Sequence, residues 1–233
     1  MKLTHALVVK LVDTKDSKSL PIWECQFESG RGTIKINIQK KINEFNDGFF
    51  ILIFIIKSIQ MFKIKKTKFK DLLVVSGMCH GDTRGYLREI LIEKIIKKKF
   101  KFHVVSKSKK NVLRGLHYQL NKAQGKYISV IKGKIFDVAV DMRKNSKTYG
   151  KSFKIILSEK NCKSVYIPPG FAHGFQTLKN ENIIVYNCTE LRSINNEYGI
   201  KFNDPKLKIK WPLSKPIITK KDNNAPNLSE IKK

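Results

Sequence analysis

The sequence predicts an all-β fold, a β-sandwich or jelly roll with a few short helices. Short runs rich in β-branched and aromatic residues recur after about residue 60, and Gly, Pro and Asn separate them at spacings typical of antiparallel sheets. Helical spacing of apolar residues is confined to about residues 92–98. Many strands with so little helix favour a sandwich or barrel over an α/β fold.

Ten strands are predicted in this part of the chain. The clearest is the run from Lys134 to Met142, which is rich in β-branched residues and lies between turn signals at Gly133 and Asn145-Ser146. The rigid turn Pro168-Pro169-Gly170 precedes another apolar run. The predicted strands, in chain order, are 72–76, 86–93, 102–106, 112–118, 126–131, 134–142, 152–157, 164–167, 172–178 and 183–190.

The first 60 residues lack this pattern. A strand-like start, a Ser/Gly-rich stretch, a Lys/Asn-rich segment and the apolar run 49–56 do not form a coherent series. That run is too short to cross a bilayer, which requires about 20 residues. Residues 8–17 resemble the conceptual translation of a transfer-RNA gene region. We therefore predict that residues 1–60 are a non-native or disordered extension, with an accessory segment as the alternative, and that residues 61–233 form the functional domain.

The net charge of +28 is large and diffuse. Residues 1–60 carry 9 basic and 6 acidic side chains, a net of +3, so the other 173 residues carry +25, mostly as scattered lysine. A basic field attracts anions such as nucleic acid, anionic lipid and nucleotide sugars. No zinc-finger, basic-zipper or RNA-binding motif accompanies the lysine runs, so we expect no specific nucleic-acid partner and no membrane partner.

The cysteines Cys25, Cys79, Cys162 and Cys188 are far apart in the sequence and form no Cys-x-x-Cys pair. Three of them lie in or beside apolar strand-like stretches, as expected of free thiols in a reducing compartment. The first residues contain neither a continuous apolar region nor a small-residue cleavage site. These features predict a cytoplasmic protein without a metal site.

The stretch 112–119, Val-Leu-Arg-Gly-Leu-His-Tyr-Gln, contains a candidate catalytic histidine. A regular strand would point Arg114 and His117 to opposite faces. Gly115 favours a bulge or bend that would bring both side chains into one cavity. Taken alone, a histidine in a strand is more often structural than catalytic, so this stretch is only suggestive.

Two further stretches carry candidate chemistry. Lys126 follows Ala-Gln-Gly and enters a strand, where its ammonium could bind phosphate or polarise a carbonyl. The stretch 166–175, Tyr-Ile-Pro-Pro-Gly-Phe-Ala-His-Gly-Phe, places His173 between small residues and aromatics after a rigid turn. A surface lysine and a core histidine remain the alternatives when each stretch is considered singly.

Together and in this order, these stretches resemble the dTDP-4-dehydrorhamnose 3,5-epimerase family. The combination of Leu-Arg-Gly-Leu-His at 113–117 with Pro-Pro-Gly-Phe-Ala-His-Gly-Phe at 168–175 is highly specific. The resemblance implies a cupin-like jelly roll that works as a homodimer on a nucleotide-sugar substrate, without metal or organic cofactor. It covers about residues 61–230, with further matches at 81–86, 89, 136–144, 148–151, 186–190, 199–200, 203–205, 211–212, 221–222 and 225–228.

The family acts on a sugar whose ketone at carbon 4 acidifies the hydrogens on carbons 3 and 5. Inverting either carbon takes a base on one face, an acid on the other, and a group that holds the enolate oxygen. The resemblance implies that His117 is the base, Tyr186 the opposite-face acid and Lys126 the cation near the ketone oxygen. Asp222 matches the carboxylate that orients the base histidine.

The resemblance also implies a set of substrate contacts. Arg84 and Arg114 match contacts to the diphosphate and nucleotide, for which a planar guanidinium is well suited. Glu89 matches a contact to the nucleotide base. His173 is expected to line the sugar pocket, and Gln119 is expected among the substrate-binding residues.

Two segments depart from the family pattern. Where the family usually has a Gln-Asp-Asn-type segment that contacts the substrate, this chain has Phe102-His103-Val104-Val105-Ser106. Where the family often has a tyrosine pair that helps the nucleotide to stack, this chain has Leu191-Arg192. The identity of the nucleotide and sugar, and the number of inverted carbons, therefore stay open.

Three alternatives were weighed against an epimerase. A 3,4-ketoisomerase or mono-epimerase on a related nucleotide sugar shares the enolate chemistry, although a ketoisomerase is expected to place its histidines differently. A metal-dependent cupin usually needs two closely spaced histidines with a carboxylate, and the sequence has no His-x-His pattern. A non-catalytic sugar- or nucleic-acid-binding protein would be expected to lack the acid–base set. The sequence therefore favours an isomerase.

Overall fold

The computed structural model describes residues 7–12, 22–27, 34–35, 62–77 and 79–231. The chain consists of two compact units, Met1–Ile59 and Gln60–Lys233. In the first unit, the strands β1 (Leu7–Val12), β2 (Ile22–Phe27) and β3 (Ile34–Lys35) form one antiparallel sheet in that order. The apolar run 49–56 lies outside the described residues.

The described residues of the second unit form thirteen strands. They are β4 (Phe62–Lys66), β5 (Leu73–Gly77), β6 (Cys79–Asp82), β7 (Gly85–Arg88), β8 (Phe102–Ser108), β9 (Leu113–Gln119), β10 (Lys126–Lys132), β11 (Lys134–Asp141), β12 (Ser152–Ser158), β13 (Lys163–Ile167), β14 (Phe171–Thr177), β15 (Asn182–Cys188) and β16 (Glu197–Gly199). Six form a sheet of order β4-β5-β13-β10-β15-β8, and five form a sheet of order β12-β11-β14-β9-β16. The strands β6 and β7 form a separate hairpin.

The main hydrophobic core lies between the two large sheets. The six-stranded sheet contributes side chains from β10, β13 and β15, and the five-stranded sheet contributes side chains from β11, β12 and β14. Burial of this apolar surface is the dominant favourable term in folding. The core includes Ile128, Val130, Val165, Ile167, Ile184, Ile135, Ala139, Leu157, Phe171 and Phe175.

Strand β11 is buried on both faces over most of its length, which explains why five of its eight residues are apolar. Ile135 and Ala139 face the main core. Val138 and Val140 face a second cluster on the opposite side, to which the C-terminal segment contributes Ile200. The C-terminal segment therefore covers the outer face of the five-stranded sheet.

The helices are short. The helix α1 spans Glu93–Ile96 and α2 spans Lys220–Asn223, and 3-10 turns occur at Ile194–Asn196 and Pro205–Leu207. Thr219 caps α2, since its hydroxyl accepts a hydrogen bond from the backbone N–H of Asp222 at 3.2 Å. Across the described ranges, no helix has the length and apolar character needed to cross a membrane.

The predicted all-β class is confirmed, and nine of the ten predicted strands are present with ends shifted by one or two residues. The prediction of a strand over 86–93 is wrong beyond Arg88. Ile90 and Leu91 instead pack as a loop against an outer cluster around Tyr127, whose hydroxyl donates to the Ile90 carbonyl at 2.9 Å. The strands β4, β6 and β16 were not predicted, and each has only three to five residues.

Candidate active site

A cavity of about 440 Å³ is lined by both large sheets and by the start of α2. This volume lies within the range of about 300–1,000 Å³ that is typical of small-molecule sites. Strand β8 contributes alternate residues to the cavity, as its period of two requires. Of the nine predicted site residues, six line the cavity: Arg114, His117, Lys126, His173, Tyr186 and Asp222.

A bulge in β9 brings Arg114 and His117 to the same cavity. In the pairing with β14, His117 lies opposite His173 and Arg114 lies opposite Phe175, so three steps along β9 match two along β14. Gly115 allows this geometry because its φ is +114° and a Cβ there would lie 2.6 Å from the backbone of His173. The predicted bulge at Gly115 is therefore confirmed.

His117 forms a dyad with Asp222 across 105 residues of sequence. The Nε2 atom of His117 lies 2.8 Å from Oδ1 of Asp222, and the backbone N–H of Gly115 donates to the other carboxylate oxygen at 3.1 Å. Burial opposes ionisation of Asp222, but the hydrogen bonds from His117 and Gly115 outweigh it and lower the pKa of the carboxyl. The geometry gives the imidazole a fixed orientation and an anionic partner.

A second histidine–aspartate pair lies beside the first. Nε2 of His173 is 2.8 Å from Oδ2 of Asp137, and the two side chains are only 4% and 0% exposed. The His117 side chain is 27% exposed by comparison. Among the described residues, no hydrogen-bond partner reaches the Oδ1 atom of Asp137. His173 therefore lines the cavity with a ring that is almost fully buried.

Tyr186 projects into the cavity from β15. Its hydroxyl lies 3.0 Å from the hydroxyl of Ser106 on the neighbouring strand β8. Its ring packs against His173 and Phe175, with centroid distances of 6.4 Å and 6.1 Å. Burial raises the pKa of the phenol, while the hydrogen bond with Ser106 and the charge of Arg114 act in the opposite direction. The phenol therefore keeps its proton at neutral pH.

Lys126 stands at the start of β10, where burial lowers the pKa of its ammonium and nearby Cys188 and Glu197 act in the opposite direction. Arg192 and Lys221 also line the cavity, and both bind Glu197, at 2.8 Å and 3.2 Å. Burial by itself would raise the pKa of Glu197, but these two cations hold it below its usual value. With Arg114, the cavity carries an excess of cations and is suited to an anionic ligand.

Arg84, Glu89 and Gln119 do not line the cavity. Gln119 is buried, and its amide holds loops together by donating to the Lys122 carbonyl at 2.8 Å and accepting from the Ser193 N–H at 3.0 Å. Arg84 pairs with Asp82 on the exposed β6–β7 hairpin. Glu89 is exposed just after that hairpin.

The β6–β7 hairpin is tied to a part of β10 that lies away from the cavity. Arg88 donates to the Val130 carbonyl at 2.9 Å. Val130 is four residues from Lys126 along the strand, a separation of roughly 13 Å at the usual rise of a strand. Within one chain, the predicted nucleotide contacts Arg84 and Glu89 are thus separated from the predicted acid–base residues.

Several lining residues were not among the predicted site residues. Glu197 lies on β16, a strand of three residues with no alternating pattern, so its position could not be derived from the sequence. Arg192 and Phe102 were recognised as departures from a family pattern but not as lining residues. Lys221 could have been found, because it directly precedes Asp222. Ser106 belongs to the same departing segment as Phe102, and its contact with Tyr186 follows from the register of β8 against β15.

The segment of the chain that forms the cavity is similar in sequence to a known protein family. The model of the dTDP-4-dehydrorhamnose 3,5-epimerase family matches residues 66–230, well over half of the chain. The chain belongs to this family. The match spans β5 to the end of α2 and therefore includes every strand that lines the cavity.

Individual members of the epimerase family are similar over nearly their whole length. The dTDP-4-dehydrorhamnose 3,5-epimerase of Methanothermobacter thermautotrophicus is 42% identical over 177 residues, covering 72% of this chain and 96% of that protein. The Shigella flexneri protein of the same name is 42% identical, covering 69% of this chain and 92% of its own. The solved dTDP-6-deoxy-D-glucose-3,5-epimerase of Legionella pneumophila, in complex with dTDP-4-keto-L-rhamnose, has a TM-score of 0.70 and 38% identity over 73% of this chain and 95% of that one.

Membership of the epimerase family confirms three predictions. The family resemblance, the cupin-like β fold and the assignment to an isomerase of epimerase type all agree with these matches.

Proposed function

We propose that the chain epimerises a dTDP-activated 4-keto-6-deoxy sugar at carbon 3, carbon 5 or both, by removing a proton from one face and returning one to the other. The observation that carries the proposal is the convergence of the His117–Asp222 dyad, Lys126 and Tyr186 on one cavity from separate segments of the chain. These groups supply the base, the cation and the acid that inversion next to a ketone requires.

His117 acts as the base in this proposal. With Nε2 donating to Asp222, the neutral ring keeps the unprotonated nitrogen at Nδ1, which accepts the proton from carbon. The ionised carboxylate of Asp222 then stabilises the imidazolium that forms. This division of labour resembles the orienting role of the aspartate in other histidine–aspartate dyads.

Lys126 stabilises the negative charge that develops on the ketone oxygen. A cation in a largely buried site interacts with an enolate more strongly than it would in water. The enolate then collapses to the inverted carbon by taking the phenolic proton of Tyr186 from the opposite face. The C–H proton leaves through His117, and solvent restores both groups.

The proposed assembly is a homodimer. Arg84 and Glu89 can contact a nucleotide in the cavity only if another subunit presents them, because within one chain they lie on a separate exposed hairpin. The hairpin also exposes the apolar side chains of Tyr86 and Leu87, at 58% and 64%. Loss of both the dimer and nucleotide binding in a Leu87→Asp variant, with the unit still folded, would support this arrangement.

We further propose that residues 61–233 are the functional unit and that it works in the cytoplasm. The family model begins only at residue 66, which supports the first part. The thiols of Cys79, Cys162 and Cys188 are free, as is usual in a reducing compartment. A protein shortened to begin at Met61 is expected to keep the kcat of the full chain within about twofold, since it retains the whole segment that the family model matches.

The test of the proposed reaction is proton exchange in heavy water. The full chain is incubated with dTDP-4-keto-6-deoxyglucose, and the sugar protons are followed by NMR. Deuterium entering carbons 3 and 5 supports a 3,5-epimerase, and deuterium entering carbon 3 alone supports a mono-epimerase. Absence of exchange from a folded protein that binds dTDP would contradict the proposal.

A further inference from the structure

Ser106 and Tyr186 are diagonal neighbours on the cavity face of adjacent strands. In the antiparallel register of β8 and β15, Tyr186 lies opposite Val104, and Ser106 lies opposite Ile184. Diagonal side chains on one face are within reach of a residue as long as tyrosine. The two hydroxyl oxygens are 3.0 Å apart, a normal hydrogen-bond distance.

This hydrogen bond is the polar contact of the phenol in the described part of the chain. The other contacts of the Tyr186 ring are apolar or aromatic, with His173 and Phe175 on one side. Those contacts restrain the ring but give no direction to the phenolic proton. Within the described residues, the hydroxyl of Ser106 is therefore the hydrogen-bonding group that can orient the phenolic proton.

Strand β8 offers no substitute for Ser106. Phe102 and Val104, the preceding residues on its cavity face, carry no side-chain hydrogen-bonding group. Ser108, the next residue on that face, already accepts a hydrogen bond from Nε of Arg114 at 3.2 Å. Removal of the Ser106 hydroxyl would thus leave the phenol without a replacement partner from this strand.

We propose that Ser106 is a positioning residue of the reaction, which donates its hydroxyl proton to the phenolic oxygen and so turns the phenolic proton of Tyr186 towards the substrate. The inference rests on the proposed function. In the step itself, the O–H bond of Tyr186 breaks and a C–H bond forms on the enolate. Ser106 keeps its own proton and stabilises the phenolate that remains, because hydrogen bonds to charged groups are stronger than neutral ones.

The experiment compares full-length variants in the heavy-water assay with dTDP-4-keto-6-deoxyglucose. Ser106→Ala is expected to lower kcat by about 10- to 100-fold, because small displacements of a reacting group have effects of this size. KM is expected to change by less than about twofold, since Ser106 acts through Tyr186 and adds little uniform binding. Ser106→Thr keeps a hydroxyl on the strand and is expected to stay within about fivefold of wild type.

The matched control is Val105→Ala, next to Ser106 on the same strand but 66% exposed on the opposite face. It is expected to leave kcat unchanged. In a Tyr186→Phe background, Ser106→Ala is expected to change kcat by less than about twofold, since two residues that act together give non-additive effects. Near-UV circular dichroism and Tm report whether each variant is folded.

A further measurement distinguishes loss of Tyr186 positioning from a general loss of structure. The ratio of deuterium entering carbon 3 to deuterium entering carbon 5 is expected to change in Ser106→Ala and to stay constant in Val105→Ala. A wild-type kcat in folded Ser106→Ala, or an equal loss with and without the Tyr186 hydroxyl, would overturn the positioning role alone. An inactive wild-type chain would overturn the proposed function itself.

Discussion

The two histidine–aspartate pairs of this protein have the same hydrogen-bond length and different surroundings. His117 with Asp222 and His173 with Asp137 are each 2.8 Å apart, and the two histidines face each other across β9 and β14. The His117 side chain is 27% exposed to the cavity, whereas His173 is 4% exposed. Both histidines are paired with an aspartate, so the pairing does not distinguish them. We infer that the exposure of the ring to the cavity decides which imidazole can exchange a proton with a substrate.

Asp222 and Asp137 also differ in their support. Asp222 receives hydrogen bonds on both oxygens, from the His117 ring and the Gly115 backbone. Asp137 has one oxygen bound to His173 and, within the described ranges, one without a partner. A buried carboxylate with an unmet acceptor depends strongly on its single partner. We therefore expect the first pair to serve the reaction and the second to serve the fold.

The largest expected effect is that of His117→Ala on activity. Loss of the base is expected to lower kcat by about 10³-fold, the middle of the range for general acid–base catalysis. Deuterium incorporation at both sugar carbons should fall with it. Tm should fall less than in His173→Ala, because Asp222 keeps the hydrogen bond from the backbone N–H of Gly115. A variant that retained more than a tenth of wild-type exchange would assign the base to another residue.

Asp222→Asn is expected to have the next largest effect. An amide preserves the shape of the carboxylate but cannot stabilise an imidazolium, and it can favour the wrong tautomer of His117, so kcat should fall by about 10²-fold or more. Steady-state kinetics with substrate saturation would measure it. Equal activity of Asp222→Asn and wild type would show that the dyad only holds loops together.

His173→Ala tests whether the second histidine–aspartate pair stabilises the fold. Removing the partner of Asp137 leaves a buried carboxylate without compensation, so the free energy of unfolding should fall by about 3 kcal/mol or more. Urea denaturation would measure this loss, and Phe136→Leu on the neighbouring position of β11 offers a conservative control. If His173→Ala were as stable as wild type but inactive, the contrast between the two pairs would fail.

The smallest expected effect is the pH dependence of stability that comes from Asp222. Its pKa is lower in the folded chain than its ordinary value of 3.8, so its contribution to stability is fully present above pH 3.8. That contribution is lost as the pH falls through the lower pKa of the folded state. Urea denaturation between pH 6 and pH 2 should therefore show a shallower acid decline in Asp222→Asn than in wild type.

The sequence was sufficient for the parts of the site that depend on local pattern. The bulge at Gly115 followed from a glycine between Arg114 and His117, and the turn before His173 followed from Pro-Pro-Gly. The hydrogen bond between His117 and Asp222 joins residues that are 105 positions apart in the sequence. Its prediction came from the family resemblance, because no local sequence pattern links two such distant residues. A resemblance of ordered motifs can thus carry long-range information that periodicity lacks.

The remaining features depend on how distant strands align and on which side chains they bury. A short stretch of sequence contains neither kind of information. The contact of Ser106 with Tyr186 needs the alignment of β8 with β15, and the place of Glu197 needs a three-residue strand at a sheet edge. The segment after Arg88 has strand-like composition, but packing of Ile90 and Leu91 against the outer cluster prevails over that propensity. The positions of Arg84 and Glu89 outside the cavity could not be anticipated from motif order.

The location of Asp222 on α2 has a consequence for how the protein is made. All strands of the two large sheets are complete by Gly199, whereas the carboxylate of the dyad follows more than twenty residues later. A ribosome therefore finishes both sheets before it supplies the partner of His117. A chain released before Thr219 would carry His117 without its carboxylate partner, so under the proposed mechanism it would lack the anion that stabilises the imidazolium.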